Sequence, residues 1–89
     1  MDQIKTGKFI ATLRKEKDLT QEQLGEKLGV TNKTISRWEN GNYMLDIEML
    51  SLLSKEFDVS INELISGERL LLDDFKKAAD NNLVTALNN

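Results

Sequence analysis

The strongest constraint on the fold lies in residues 20–39, where two short helical segments are separated by a single turn. Thr20 and Gln23 form a capping-box pattern, in which each side chain satisfies a backbone donor that a helix start leaves unpaired. Gly29 follows the first segment, where a helix would end in a left-handed residue. Thr31 is a candidate N-cap for the second segment. The pattern therefore predicts two helices that meet across a tight turn.

The apolar and small residues of these two helices predict how they pack. Gly25 is a poor residue for a helix interior, costing about 1 kcal/mol relative to alanine, unless another helix passes close to it. At 100° per residue, one face of each helix is expected to point into a core. The residues on these faces are Leu24, Leu28, Thr31, Ile35 and Trp38. This arrangement is typical of a helix-turn-helix, whose second helix is held out toward the DNA major groove.

The rest of the chain has no proline, and its apolar residues recur every three or four positions, which predicts an all-α protein. We expect five helices in a compact domain over residues 1–67. Helix 1 runs from Asp2 to Lys17, and Asp46 and Ser60 cap helices 4 and 5. A further helix is expected over residues 68–89. The expected apolar faces are Phe9, Ile10 and Leu13; Met49, Leu50, Leu53 and Phe57; Ile61, Leu64 and Ile65; and Leu72, Phe75, Leu83 and Leu87.

Composition excludes most enzyme classes. The 89 residues contain no cysteine and no histidine, which removes disulfides, Cys/His zinc sites, and nucleophiles activated by histidine. The carboxylate pairs Glu22/Glu26 and Asp73/Asp74 have no third ligand nearby in the sequence and are interpreted as solvated. We expect no catalytic residue, metal, cofactor or small-molecule substrate. Because no membrane-spanning or signal segment is evident, a cytoplasmic location is expected.

Charge is distributed unevenly along the chain and on helix 3. Residues 1–42 carry a net charge of +2 and residues 43–89 a net charge of −5, within a total of −3. Opposite the predicted core face, helix 3 presents cations, hydroxyls and amides but no carboxylate, although a solvated surface is the usual fate of such side chains. Arg, Lys and Asn match the hydrogen-bonding edges of guanine and adenine. These residues are Lys33, Ser36, Arg37 and Asn40, with Asn32 at the flank.

The run LTQEQLGEKLGV over residues 19–30, followed by ISRWENG over residues 35–41, resembles the lambdoid phage repressor and Cro class of helix-turn-helix, the xenobiotic-response-element family. The resemblance covers roughly residues 3–67. It implies a five-helix lambda-repressor-like DNA-binding domain and a transcription regulator, expected to be a repressor. Such a protein acts on a double-stranded operator, usually as a homodimer.

The resemblance also implies individual roles. Base reading falls to Asn32, Lys33, Ser36 and Arg37. Phosphate contact or positioning falls to Gln21, Thr31, Asn40, Asn42 and Tyr43, with Gln21 also bracing the recognition helix. Arg14 and Glu39 are expected to form a structural ion pair. The loop after helix 3 lacks the proline common in this family.

Two questions stay open at the level of sequence. Residues 68–89 are interpreted either as a dimerisation element or as a linker, because their junction resembles regulators in which this domain precedes further, sometimes membrane-spanning, sequence. The alternative function is a protein-interaction module, such as an antitoxin whose DNA binding is autoregulatory. The carboxylate-free face of helix 3 favours DNA, whereas co-purification of a second protein would favour the alternative.

Overall fold

A computed structural model describes residues 1–70, which form five α-helices and no strand. The helices are α1 (Gln3–Glu16), α2 (Gln21–Leu28), α3 (Asn32–Glu39), α4 (Ile47–Phe57) and α5 (Ile61–Ser66). The all-α prediction and the order of the five helices are confirmed. The helix predicted over residues 68–89 lies almost wholly outside the described residues. None of the five helices is long and apolar enough to cross a membrane.

Local capping chemistry sets where each of the five helices begins. Asp2, Asp46 and Thr31 each accept a hydrogen bond from a backbone N–H in the first turn of the helix they precede. Thr20 and Ser60 each form the predicted capping box in full. Because these bonds satisfy donors that a helix leaves free, short sequence patterns define the helix starts well.

One core connects the five helices. It is built from the apolar residues predicted to be buried in the helix-turn-helix and from apolar residues of α1, α4 and α5. Two residues from loops, Leu45 and Val59, are also buried in this core. Its members are Phe9, Ile10, Leu13, Leu24, Leu28, Ile35, Trp38, Leu45, Leu50, Leu53, Phe57, Val59 and Leu64. Burial of Trp38 confirms that this side chain packs inside the domain rather than stacking on a partner.

Two predictions about the core are wrong. Thr31 is exposed rather than buried, because its hydroxyl caps α3 by accepting from the Thr34 N–H, which holds the residue outside the helix. Ile65 is 38% exposed, because α5 has only six residues and turns a single side chain, Leu64, fully into the core. Both residues lie at the end of a helix, where the helical period no longer decides burial because neighbouring elements do not cover the side chain.

Close backbone approaches hold α3 in place. A Cβ atom on Gly25 would lie 2.6 Å from the Val30 carbonyl oxygen, so the chain entering α3 passes directly over α2. A Cβ atom on Gly7 of α1 would collide with the Trp38 carbonyl oxygen at the other end of α3. Thus α3 is held at its start by α2 and at its end by α1, which leaves its remaining face free.

Candidate nucleic-acid interface

The outward face of α3 is polar and cationic. Asn32, Lys33, Arg37 and Asn40 are exposed and Ser36 is partly exposed, whereas Ile35 and Trp38 on the opposite side are 0% and 2% exposed. The exposed residues are spaced three and four apart, so they share one side of the helix. The structure therefore places the five sequence-predicted residues of this face together, with no carboxylate among them.

Side-chain contacts leave the cations of this face available. Within residues 1–70, Lys33 and Arg37 take part in none of the four ion pairs. Asn40 donates from Nδ2 to Ser36 Oγ over 3.3 Å, which links the two polar residues one turn apart. The two cations can thus bind an anionic or electronegative partner without first breaking an internal ion pair.

Glu39, the acidic residue of α3, is turned away from this face and is held by Arg14. Arg14 donates from Nε to Glu39 Oε2 over 2.6 Å and from Nη2 to Oε1 over 2.9 Å. The two side chains are only 12% and 8% exposed. The hydrogen bond to Glu39 raises the pKa of Arg14 above its ordinary value, although burial opposes that shift. The pair joins α1 to the end of α3.

Gln21 extends this network to the start of α2. Its Nε2 donates to Glu39 Oε1 over 3.1 Å, while Arg14 Nη1 donates to the Leu19 carbonyl oxygen over 2.9 Å. Gln21 is the first residue of α2 and is partly exposed. One carboxylate thus connects the beginning of α2, the end of α3 and the body of α1.

The loop between α3 and α4 borders the same face. Asn42 and Tyr43 are exposed, with Tyr43 at 52%. The Asn42 N–H donates to the Arg37 carbonyl oxygen over 2.9 Å, which folds the loop back against the last turn of α3. The chain follows this path without a proline, since Gly41 adopts a φ of +74° and Asp46 caps α4.

Sequence reasoning missed Gly7 and the exposed apolar residues near this loop. Gly7 allows α1 to approach the end of α3, and the signal that identified Gly25, a glycine inside a helix, was present at Gly7 as well. Met44 and Ile47 are 64% and 67% exposed, although their residue types predict burial. Nothing in their local sequence distinguishes them from buried residues.

Comparison with known proteins places this geometry in a family. A family model described as helix-turn-helix matches residues 10–64. The transcriptional activator BcrR of Enterococcus faecalis is 51% identical over 59 residues, which is 66% of this chain and 29% of BcrR. The antitoxin PezA of Streptococcus pneumoniae is 32% identical over 65 residues, 73% of this chain and 41% of PezA. The chain thus spans less than half the length of either relative.

A solved structure shares the fold and is related in sequence. The P22 c2 repressor, in complex with a synthetic operator, superposes with a TM-score of 0.67 and 35% identity, covering 71% of this chain and 96% of that one. The residues that the family model matches include both helices of the helix-turn-helix and most of the core that supports them. The chain therefore belongs to the Cro/C1 repressor type of helix-turn-helix proteins, a family of DNA-binding transcription regulators.

Proposed function

We propose that this domain binds double-stranded DNA sequence-specifically and regulates transcription by placing α3 in the major groove of an operator. The observation that carries the proposal is the exposed face of α3, which presents two cations free of the ion pairs of residues 1–70 and no carboxylate. On a chain of net charge −3, such a face is suited to a polyanion. We also propose that the protein acts in the cytoplasm, where it would meet its DNA partner.

Within this proposal, the residues of the interface fall into two groups, those that contact base edges and those that contact phosphates. Base edges are read by Asn32, Lys33, Ser36 and Arg37, which lie on the outward side of α3. Phosphates are contacted from the helix starts and the loop by Gln21, Thr31, Asn40, Asn42 and Tyr43. Phosphate contacts position a protein on the duplex, whereas base contacts determine the sequence that it prefers.

Arg37 provides the sharpest test, because its planar guanidinium matches two acceptors of guanine. Sequences bound by the full chain are selected from a random duplex pool, and the selection is repeated with Arg37→Ala. We expect Arg37→Ala to weaken binding to the preferred site by about 1–3 kcal/mol and to relax preference at one base pair of each half-site. Lys55→Ala, which removes an exposed cation from the last turn of α4, is the matched control and should leave the preference unchanged.

Two results would contradict the assignment. If the unmodified chain enriches no sequence, the proposal of sequence-specific binding is wrong. If Arg37→Ala preserves the selected sequence and only flattens the dependence of affinity on salt by about one unit, Arg37 contacts a phosphate and does not read a base.

We also propose that the protein acts as a homodimer, since dimers of this class hold two recognition helices about 34 Å apart on the operator. Residues 68–89 supply the dimer contact in this proposal. A chain ending at Leu70 retains the ion pairs that Glu68 and Arg69 make with Lys5 and Glu16. It should sediment as a monomer and bind the selected operator more weakly. Equal sedimentation and equal affinity of the two chains would identify residues 71–89 as a linker instead.

The similarity to the antitoxin PezA supports a second candidate, in which the chain neutralises a toxin and its DNA binding serves autoregulation. The two candidates differ in their protein partner. Co-purification of a stoichiometric second protein, encoded beside this one, would support the antitoxin function. A chain that purifies alone and binds its operator at full affinity would support the regulator.

A further inference from the structure

The contact between Gln21 and Glu39 fixes the orientation of an amide at the edge of the proposed DNA surface. Glu39 is a carboxylate that already accepts two hydrogen bonds from Arg14, and an ionised carboxylate cannot donate. The nitrogen end of the Gln21 amide must therefore face Glu39, at a distance of 3.1 Å. Without this partner the oxygen and nitrogen ends could exchange by a simple rotation.

Glu39 is itself held rigidly, so a buried carboxylate can fix the orientation of the more exposed Gln21 amide. The bidentate contact with Arg14 and the 8% exposure of the carboxylate restrict its rotation. Arg14 in turn is fixed by donating to the Leu19 carbonyl oxygen in the turn before α2. Gln21, by contrast, is partly exposed at the first position of α2. Its amide nitrogen carries a second N–H that the contact with Glu39 does not use.

We propose that Glu39 is a positioning residue for DNA binding, which holds the Gln21 amide so that its second N–H donates to a backbone phosphate. This inference rests on the proposed function. It assigns Glu39 a role that differs from its ion pair with Arg14. A donor held in place before binding loses less conformational freedom when the complex forms, so the gain appears as affinity for every DNA sequence.

A double-mutant cycle on the full chain tests the coupling. Affinity for a mixed-sequence DNA duplex is measured for the unmodified protein, Gln21→Ala, Glu39→Gln and the double variant, at a temperature where circular dichroism shows all four folded. Glu39→Gln keeps the size of the side chain but adds donors, so it no longer fixes the amide of Gln21. We expect Gln21→Ala to weaken binding about tenfold in the unmodified background and less than about twofold in the Glu39→Gln background.

A second cycle provides the control for a purely structural effect of Glu39. Lys33 has no contact with Glu39 in the network above, so Lys33→Ala should weaken binding by the same factor with and without Glu39→Gln. A general distortion of α3 would instead change the effect of both Gln21→Ala and Lys33→Ala. Coupling confined to Gln21 supports the inference, and coupling to both residues overturns it.

Nuclear magnetic resonance of the unmodified chain gives an answer that does not depend on the stability of any variant. The two Nε2 protons of Gln21 give separate signals. The inference predicts that one signal stays in place when the duplex is added while the other shifts, because only one N–H is free to bind phosphate.

The outcomes separate this inference from the proposed function. If the unmodified chain fails to bind duplex DNA, the proposed function is wrong and the inference is wrong with it. If the chain binds but the Gln21 and Glu39 effects are additive, or both amide signals stay in place, the inference alone is overturned.

Discussion

Stability should depend far more on the ion pair between Arg14 and Glu39 than on an ion pair of similar geometry at the surface. Arg14 and Glu39 are 12% and 8% exposed and bonded through two N–H groups. Removing one partner of a buried pair costs about 3–5 kcal/mol, because the remaining charge is left in a poorly solvated place. Since a small domain has about 5–15 kcal/mol in total, either alanine variant should be severely weakened.

The structure also predicts which variant is the more damaging. Arg14→Ala leaves the Glu39 carboxylate with a single neutral donor, Gln21. Glu39→Ala leaves Arg14 bonded to the Leu19 carbonyl oxygen, and its long side chain can move its charge toward water. Arg14→Ala should therefore cost more than Glu39→Ala, and the double variant should cost less than the sum of the two.

Urea unfolding followed by the fluorescence of Trp38, the single tryptophan, measures these differences, because that side chain is 2% exposed in the folded domain. The control pair is Glu16 and Arg69, which is also bidentate but 45% and 52% exposed. Alanine at either control position should change the urea midpoint far less than alanine at Arg14 or Glu39, because solvent screens an exposed ion pair. The reasoning is refuted if the buried and exposed pairs give equal losses of stability and the losses within each pair are additive.

Two further predictions concern backbone approach and pH. Gly25→Ala should destabilise the domain by about 1–3 kcal/mol in urea unfolding despite the better helix propensity of alanine, because its Cβ would lie 2.6 Å from the Val30 carbonyl oxygen; a gain in stability would contradict that contact. The pKa of Glu63 is lowered, mainly by the hydrogen bond from the Ser60 backbone N–H. Its stabilisation is therefore present above the unfolded pKa of about 4.3 and is lost as pH falls through the lower folded value. The difference in melting temperature between the unmodified chain and Glu63→Gln should shrink on acidification, and a difference independent of pH would contradict the assignment.

Sequence was sufficient wherever the determining contacts are local. The capping boxes at Thr20 and Ser60, the left-handed Gly29 and the buried faces of α2 and α3 all depend on residues within a few positions of one another. Each of these patterns reflects a local physical requirement: pairing of free backbone donors, a residue that tolerates a positive φ, or the helical period. The fold class and the outward face of α3 follow from them directly.

The remaining features depend on contacts between distant parts of the chain. Gly7 and Thr6 are buried because α1 packs on the end of α3 and on α5, where the Thr6 hydroxyl donates to the Leu64 carbonyl oxygen over 2.7 Å. No periodicity marks a position that is buried against another helix's backbone. The link from Gln21 to Glu39 spans 18 residues and requires the packed helix-turn-helix before it can form. Local patterns identified both residues but not the contact between them.

The placement of Glu39 explains how an acidic residue is tolerated within a helix proposed to enter DNA. An exposed carboxylate on α3 would repel phosphates, since exposed charges interact over about 8–10 Å at moderate salt. Here the carboxylate lies 2.6 Å from the Arg14 guanidinium, so at the distance of the DNA the two charges largely cancel. The cations at Lys33 and Arg37 have no such partner within residues 1–70, so their field extends outward. The same carboxylate can therefore join three helices while leaving the proposed DNA-binding face positively charged.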